Sequence, residues 1–317
     1  MKKLTALALV GAMTLGSAFP AMAEDKKTIA IVPWDMSQAF AAQISETATE
    51  LIEAKGWNAV TMDPAGDWAQ EYTILENLVT QGVDGIIYTA IDADGAADAV
   101  DSVKAAGIPI VGYDCLSAKG NEDAAVRYDD YKGGQMAAEE LMKALDGKED
   151  ATLVVYEEEP SISSSGKRVS GFEDYISENY PNVTVQKSRS ADRTADGCYT
   201  WATDMITTYP DVDGFFCWWN ECTMSTYNAL KDAGNETAKI VGYDAMQEQQ
   251  DVMKADGESC RLVASPGMSA VKMATACVDY LDQIFEGTYE RKDADDIYEL
   301  TPELLNLENA ETFDIDK

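Results

Sequence analysis

Two five-residue segments, Ile110-Val111-Gly112-Tyr113-Asp114 and Ile240-Val241-Gly242-Tyr243-Asp244, repeat one pattern in the two halves of this 317-residue chain. Each is a short apolar run that ends on an aspartate. If the runs are strands of parallel sheets, both carboxylates lie at a carboxyl edge, where open α/β sheets bind ligands. Facing one another across a cleft, such acceptors grip hydroxyl or amine donors, each bond to a charged group contributing about 1.5 to 3 kcal/mol. Either aspartate taken alone more often reads as a turn cap; the repetition favours ligand contact. The loop Pro33 to Gln38 belongs to the same edge. Its Trp34, and Phe40 just beyond, suit core packing or stacking on a ligand.

Composition removes several competing chemistries. The chain has no histidine, so mechanisms that need an imidazole base, the Ser-His-Asp and Cys-His devices included, are excluded. Its cysteines (Cys115, Cys198, Cys217, Cys222, Cys260, Cys277) form no CxxC pair, which argues against a zinc site. No metal or cofactor is expected. The formal net charge of −33 excludes nucleic acid and anionic membrane as partners, since both would be repelled. The acidity itself reads as a solubility feature.

Lys2 and Lys3, the apolar run Leu4 to Gly16 and the ending Ala21-Met22-Ala23 have the three regions of a cleavable secretory signal, with cleavage expected after Ala23. No cysteine stands near that point to take a lipid. No later run approaches the roughly 18 apolar residues of a membrane span. A soluble, exported protein of a Gram-negative-type periplasm is expected. Six cysteines in that oxidising compartment predict disulfides, with the pairing open.

The elements that must position the two aspartates follow from periodicity. Ile86 to Ala90 and Ile108 to Tyr113 are short, almost wholly apolar runs, as strands covered on both faces are. Between them Ala96, Ala97, Val100 and Val103 recur at helical spacing, and Gly107 stops the helix. This is a β-α-β unit with a right-handed crossover. The rhythm begins at Thr28 to Val32 and resumes after Thr152 with strands at Val183 to Gln186, Gly214 to Trp218 and Lys239 to Tyr243. Gly133-Gly134 is expected to open a helix running to Ala144. In a strand through Trp218 only one of Trp218 and Trp219 can face a cleft, because side chains alternate.

In this order and spacing the motifs resemble those of the type 1 periplasmic solute-binding proteins of ABC importers, in the ribose- and galactose-binding group. The resemblance rests on Gly82-Val83-Asp84-Gly85-Ile86-Ile87, Ala105-Ala106-Gly107-Ile108-Pro109-Ile110, Gly133-Gly134, Gly171-Phe172 after Arg168, Pro210-Asp211-Val212-Asp213-Gly214, the two Asp-terminated strands and Gly287. It covers nearly the whole mature chain. The fold it implies is α/β, two Rossmann-like lobes with parallel sheets joined by three crossing hinge segments near Tyr128, Ser265 and Ala294. The N-terminal lobe would comprise residues 24–128 with about 266–293, and the C-terminal lobe residues 129–265 with about 294–317.

The resemblance also implies a ligand set. Gln38 takes the place of a first-loop asparagine and Phe40 that of a stacking aromatic; Thr89 and Asp114 follow in the first lobe, and Arg168 and Asp244 in the second. Arg193 stands where a site aromatic is usual, Trp219-Asn220 where Asn-Asp is usual, and Cys115 where an arginine is usual. With Trp34 and Trp219, the set keeps flat aromatic faces and charged forks, the chemistry that grips a sugar or polyol. The expected function is periplasmic capture of a small polyhydroxylated solute for an ABC permease, by a monomer that closes like a hinge. A cationic amine held by Asp35, Asp114 and Asp244 is the alternative ligand, which Arg168 and Arg193 oppose; a nucleoside or signalling molecule is another. Docking on a chemoreceptor or sensor kinase is the alternative role. Glycoside cleavage by paired aspartates is the enzymatic reading, set aside in favour of no enzyme. A DNA-binding repressor of the same fold is excluded by the leader, the charge and the lack of a helix-turn-helix. Disulfides, if present, should pair within lobes so that closure stays free.

Overall fold

The computed structural model describes residues 26–316; the leader read over residues 1–23 lies outside them. The chain alternates strand and helix: β1 (Thr28–Val32), α1 (Ala39–Ala54), β2 (Asn58–Thr61), α2 (Trp68–Gln81), β3 (Gly85–Tyr88), α3 (Ala93–Ala105), β4 (Ile110–Tyr113) and β5 (Ala124–Tyr128). A second series follows: α4 (Asp130–Ala144), β6 (Thr152–Tyr156), α5 (Ser163–Asn179), β7 (Thr184–Ser188), α6 (Ala195–Thr208), β8 (Gly214–Phe216), α7 (Asn220–Asp232), β9 (Lys239–Val241), α8 (Gln247–Asp256) and β10 (Leu262–Gly267). The chain ends with α9 (Ala270–Glu286), β11 (Tyr298–Leu300) and β12 (Glu303–Asn306).

These elements build two six-stranded sheets of matching topology, β2-β1-β3-β4-β5-β11 and β7-β6-β8-β9-β10-β12. The strands run parallel apart from β12, which is antiparallel to β10. The central strands are buried along their length, as in β3 and β4, because helices cover both faces. Local sequence sets the boundaries. Asp67 caps α2 by accepting from the amides of Ala69 and Gln70, and Gly82 ends it in the left-handed region. Asp92, Asp129, Thr194 and Ser269 cap α3, α4, α6 and α9 in the same way.

The chain passes between lobes three times, at places that differ in part from the sequence expectation. The first passage lies between Tyr128 and Asp130. The second falls at Met268-Ser269, beyond Ser265, because β10 continues to Gly267 before α9 packs on α1 and β5 of the first lobe. The third falls at Thr301-Pro302 and not near Ala294, because β11 still pairs with β5 of the first sheet while β12 pairs with β10 of the second.

Gly133 and Gly134 do not open α4; they sit in its second turn, since Asp129 caps the helix. Their role is close approach. A Cβ on Gly134 would collide with the Arg168 carbonyl, and one on Gly133 with the Tyr243 ring. Helices α4 and α5 therefore touch backbone to backbone, which brings Asp130 against Arg168.

The predicted disulfides are absent: all six cysteines are free and buried. Cys222 sits beside both Cys198 and Cys217 in the second lobe, and the cysteines fill the core as small apolar side chains. Burial raises the Cys115 thiol to about 12 and the Cys260 thiol to about 11.

Candidate functional site

The carboxyl edges of the two sheets face each other, and the loops leaving them enclose a cleft. Each wall comes from a different strand end. Trp34 follows β1, Thr89 follows β3 and Asp114 follows β4; Trp218 and Trp219 follow β8, Asp244 follows β9 and Met268 follows β10.

The two matched aspartates share an unusual backbone. Asp114 has φ of 55° and Asp244 of 79°, the left-handed region in which aspartate is better tolerated than most side chains. Such conformations cost free energy and collect at functional sites. Here each turns the chain sharply after its strand and presents a carboxylate to the cleft.

Arg168 of α5, buried with 3% exposure, gathers these groups. Its Nε donates to Asp130 Oδ1 at 2.7 Å, its Nη1 to the Trp218 carbonyl at 2.9 Å and its Nη2 to Asp114 Oδ1 at 3.3 Å. Asp244 Oδ1 lies 3.7 Å from Nη1, and the guanidinium stands 4.1 Å above the Tyr243 ring. Burial would pull Arg168 down, yet Asp130, Tyr243, Asp114 and Asp244 together hold it charged and well above its ordinary value. One guanidinium faces three carboxylates, so the cluster is acidic. Burial raises both Asp130 and Asp244 to about 6.

Several contacts join the lobes. Besides Arg168 to Asp114, Glu221 in the first turn of α7 accepts from the Ala39 amide at the start of α1, 3.3 Å away. Cys115 Sγ and Ser164 Oγ are 3.2 Å apart, and the Ala93 amide donates to the Ser161 carbonyl at 3.2 Å. The lobes are closed on each other.

Aromatic side chains supply the flat surfaces. Both Trp218 and Trp219 line the cleft, contrary to the alternation argument, because β8 stops at Phe216 and the two indoles sit in a bend. Their centroids are 4.3 Å apart, and Tyr156 packs against both at 6.1 and 4.7 Å, each such pair contributing about 0.5 to 1.5 kcal/mol. Arg193 lies over Trp34, Trp218 and Trp219 at 5.0, 5.9 and 6.0 Å.

Of the residues proposed from sequence, Trp34, Gln38, Phe40, Thr89, Asp114, Arg168, Arg193, Trp219 and Asp244 line the cleft. Asp35 does not. Its Oδ1 accepts from the Ser37 amide at 2.8 Å, and the residue faces a neighbouring outer groove with Trp68. Asn220 stands behind the wall: its amide donates to Asp244 Oδ2 at 2.9 Å, and its side chain bonds Glu248 and Gln249. It positions Asp244. Residues the sequence reading missed are Tyr113, Ser164, Trp218, Glu221 and Met268. Tyr113 was within reach, one residue before Asp114; Glu221 and Met268 carried no signal, since their place depends on the packing of the other lobe.

Four buried polar atoms on the cleft residues make no hydrogen bond: Tyr113 Oη, Arg193 Nε, Trp219 Nε1 and Asp244 Oδ1, the last keeping only its ion pair with Arg168. A buried polar group left without a hydrogen bond costs about 1 to 3 kcal/mol.

A family model described as "Periplasmic binding protein domain" matches residues 29–288. The ribose import binding protein of Salmonella typhimurium is 25% identical over 287 residues, covering 90% of this chain and 94% of the relative. The xylitol-binding protein of Mycolicibacterium smegmatis is 25% identical over 259 residues, covering 80% and 73%. Among solved structures, a solute-binding protein from Actinobacillus succinogenes with bound D-allose superposes with a TM-score of 0.81 at 20% identity, covering 91% of this chain and 100% of that one. The Caulobacter myo-inositol binding protein gives 0.81 at 21% identity, covering 91% and 96%. At these identities the two superpositions speak for the fold.

Proposed function

Since the chain belongs to the periplasmic binding protein family, we propose that it is the solute-binding component of an ABC importer and that its ligand is a monosaccharide or related polyol enclosed between the lobes. The observation that carries this reading is the set of four atoms without a hydrogen bond, three donors (Tyr113 Oη, Arg193 Nε, Trp219 Nε1) and one acceptor (Asp244 Oδ1), interleaved with indole faces in one cleft. Sugar hydroxyls answer both kinds, and their C–H faces suit the indoles. Relatives named for ribose and xylitol support the same ligand class.

The family is one of solute-binding proteins, so the chain binds and releases without converting. In the open state the first lobe offers Gln38, Phe40, Thr89 and Asp114, and the second offers Asp244 and the tryptophans. A ligand touching both sets stabilises closure by the difference between its contacts in the two states. The closed pair of lobes is the form a permease recognises. Export by the leader read over residues 1–23, action as a monomer, and a chemoreceptor or sensor kinase as a further docking partner complete the proposal.

A thermal-shift and calorimetric screen of the mature protein against monosaccharides, alditols, inositols, nucleosides and amines tests it. Stabilisation by a polyol, about 2.7 kcal/mol at a hundred times Kd, is expected. Hits confined to amines or nucleosides would overturn the ligand class.

A further inference from the structure

Two guanidinium groups line the cleft, and they differ in what they already hold. Every nitrogen of Arg168 is engaged: Nε with Asp130, Nη1 with the Trp218 carbonyl, and Nη2 with Asp114 and the Met268 sulfur. The Arg193 side chain makes no hydrogen bond and no ion pair among the described residues, and its Nε is buried without a partner. Its contacts are with the faces of Trp34, Trp218 and Trp219. Stacking on a ring satisfies the flat face of a guanidinium and leaves the in-plane N–H edge unused. Glu159, an acid in its surroundings, is already paired with Arg189 at 3.6 Å. Glu221 is engaged with the Ala39 amide.

We infer that the ligand carries a carboxylate, which places it among the sugar acids, and that Arg193 is the residue that selects it. This rests on the polyol reading above and narrows it. Hydroxyls alone would meet the N–H edge but leave a half-buried cation without counter-charge, an expensive arrangement. A carboxylate matches the fork in charge and in its two-oxygen geometry. A phosphate, with a charge of about −1.5 to −2, would exceed what one guanidinium neutralises beside the acidic cluster of Asp114, Asp130 and Asp244. Arg193 stands in the wall shared with the outer groove. The carboxylate end of the ligand therefore lies toward that groove, and the hydroxylated end reaches Asp244 and Asp114.

The test is isothermal titration of the mature protein with three matched pairs: glucuronate and glucose, galacturonate and galactose, ribonate and ribose. At least one acid should bind about tenfold or more tightly than its neutral parent. In Arg193→Gln that ratio should fall to within about threefold, and Arg193→Lys, which keeps the charge without the fork, should retain part of it. Neutral parents that match or exceed every acid in the wild type would overturn the inference and leave the polyol reading standing. A preference kept in full by the variants would also overturn it. Failure of every sugar, polyol and acid to bind would remove both. If Arg193→Gln does not fold, the wild-type ratios and Arg193→Lys decide.

Discussion

Arg168 of the second lobe reaches Asp114 of the first across the cleft, Nη2 to Oδ1 at 3.3 Å, while its Nε stays bound to Asp130 of its own lobe at 2.7 Å. The shorter contact anchors the guanidinium, and the longer one forms only when the lobes meet. Asp114 is thus a closure contact and, on the function proposed above, a ligand acceptor as well. Asp114→Asn should lower ligand affinity about tenfold or more, the loss expected for a charge-assisted bond, with little change in melting temperature. Calorimetry with the polyol found by screening checks the first part and a melting curve the second. Unchanged affinity would remove Asp114 from the site.

Glu221 ties the first turn of α7 to the start of α1, 3.3 Å from the Ala39 amide, where the positive end of a helix dipole favours a carboxylate. Glu221→Ala removes this bridge between lobes. The ligand-free variant should populate the open form more, visible as a larger radius of gyration in solution scattering. Ligand affinity should fall about 2- to 30-fold, the range of roughly 0.5 to 2 kcal/mol for such a contact. An unchanged radius would show that closure does not depend on it.

Gly134 packs against the Arg168 carbonyl with no room for a Cβ. Gly134→Ala must push α4 from α5, an overpacking that typically costs about 1 to 3 kcal/mol, and the Asp130–Arg168 pair would move with it. The melting temperature should fall by several degrees and ligand affinity with it. Gly166, whose Cβ position is open, is the control: Gly166→Ala in the same α5 should not destabilise.

Glu71 is buried at 1% exposure. Its Oε2 accepts from the Ile91 amide at 2.9 Å and its Oε1 has no partner. Burial, against the Ile91 bond and aided by Asp92, raises it to about 8. Folding therefore favours the protonated acid: its contribution is complete below the unfolded value near 4.5 and is lost as pH rises toward 8. Glu71→Gln should equal the wild type at pH 4.5 and melt higher by a few degrees at pH 8.5. Parallel melting curves across that range would contradict the burial argument.

The six free cysteines are all buried. A thiol reagent should label almost none in the native protein and six in the unfolded chain. Fewer than six after unfolding without reductant would reveal a bridge.

The sequence by itself determined the β-α rhythm, because fully apolar strands and 3.6-residue periodicity are local properties. It also determined the two matched aspartates, since the strand endings repeat residue for residue, and the loops on the same sheet edge. The absence of histidine was enough to remove whole classes of mechanism. Only the tertiary structure decided which side chains meet. The third passage at Thr301-Pro302 depends on β11 pairing with β5, a partnership between residues about 170 positions apart. Trp218 and Trp219 both reach the cleft because β8 ends early and alternation lapses. Asp35 turns to the outer groove because the Ser37 amide claims its carboxylate. The sequence named two arginines, and the fold made them different, giving Arg168 partners drawn from both lobes and leaving the edge of Arg193 free. Partner choice across a cleft depends on distances between segments remote in the chain, and these are set by packing, of which local sequence carries no record.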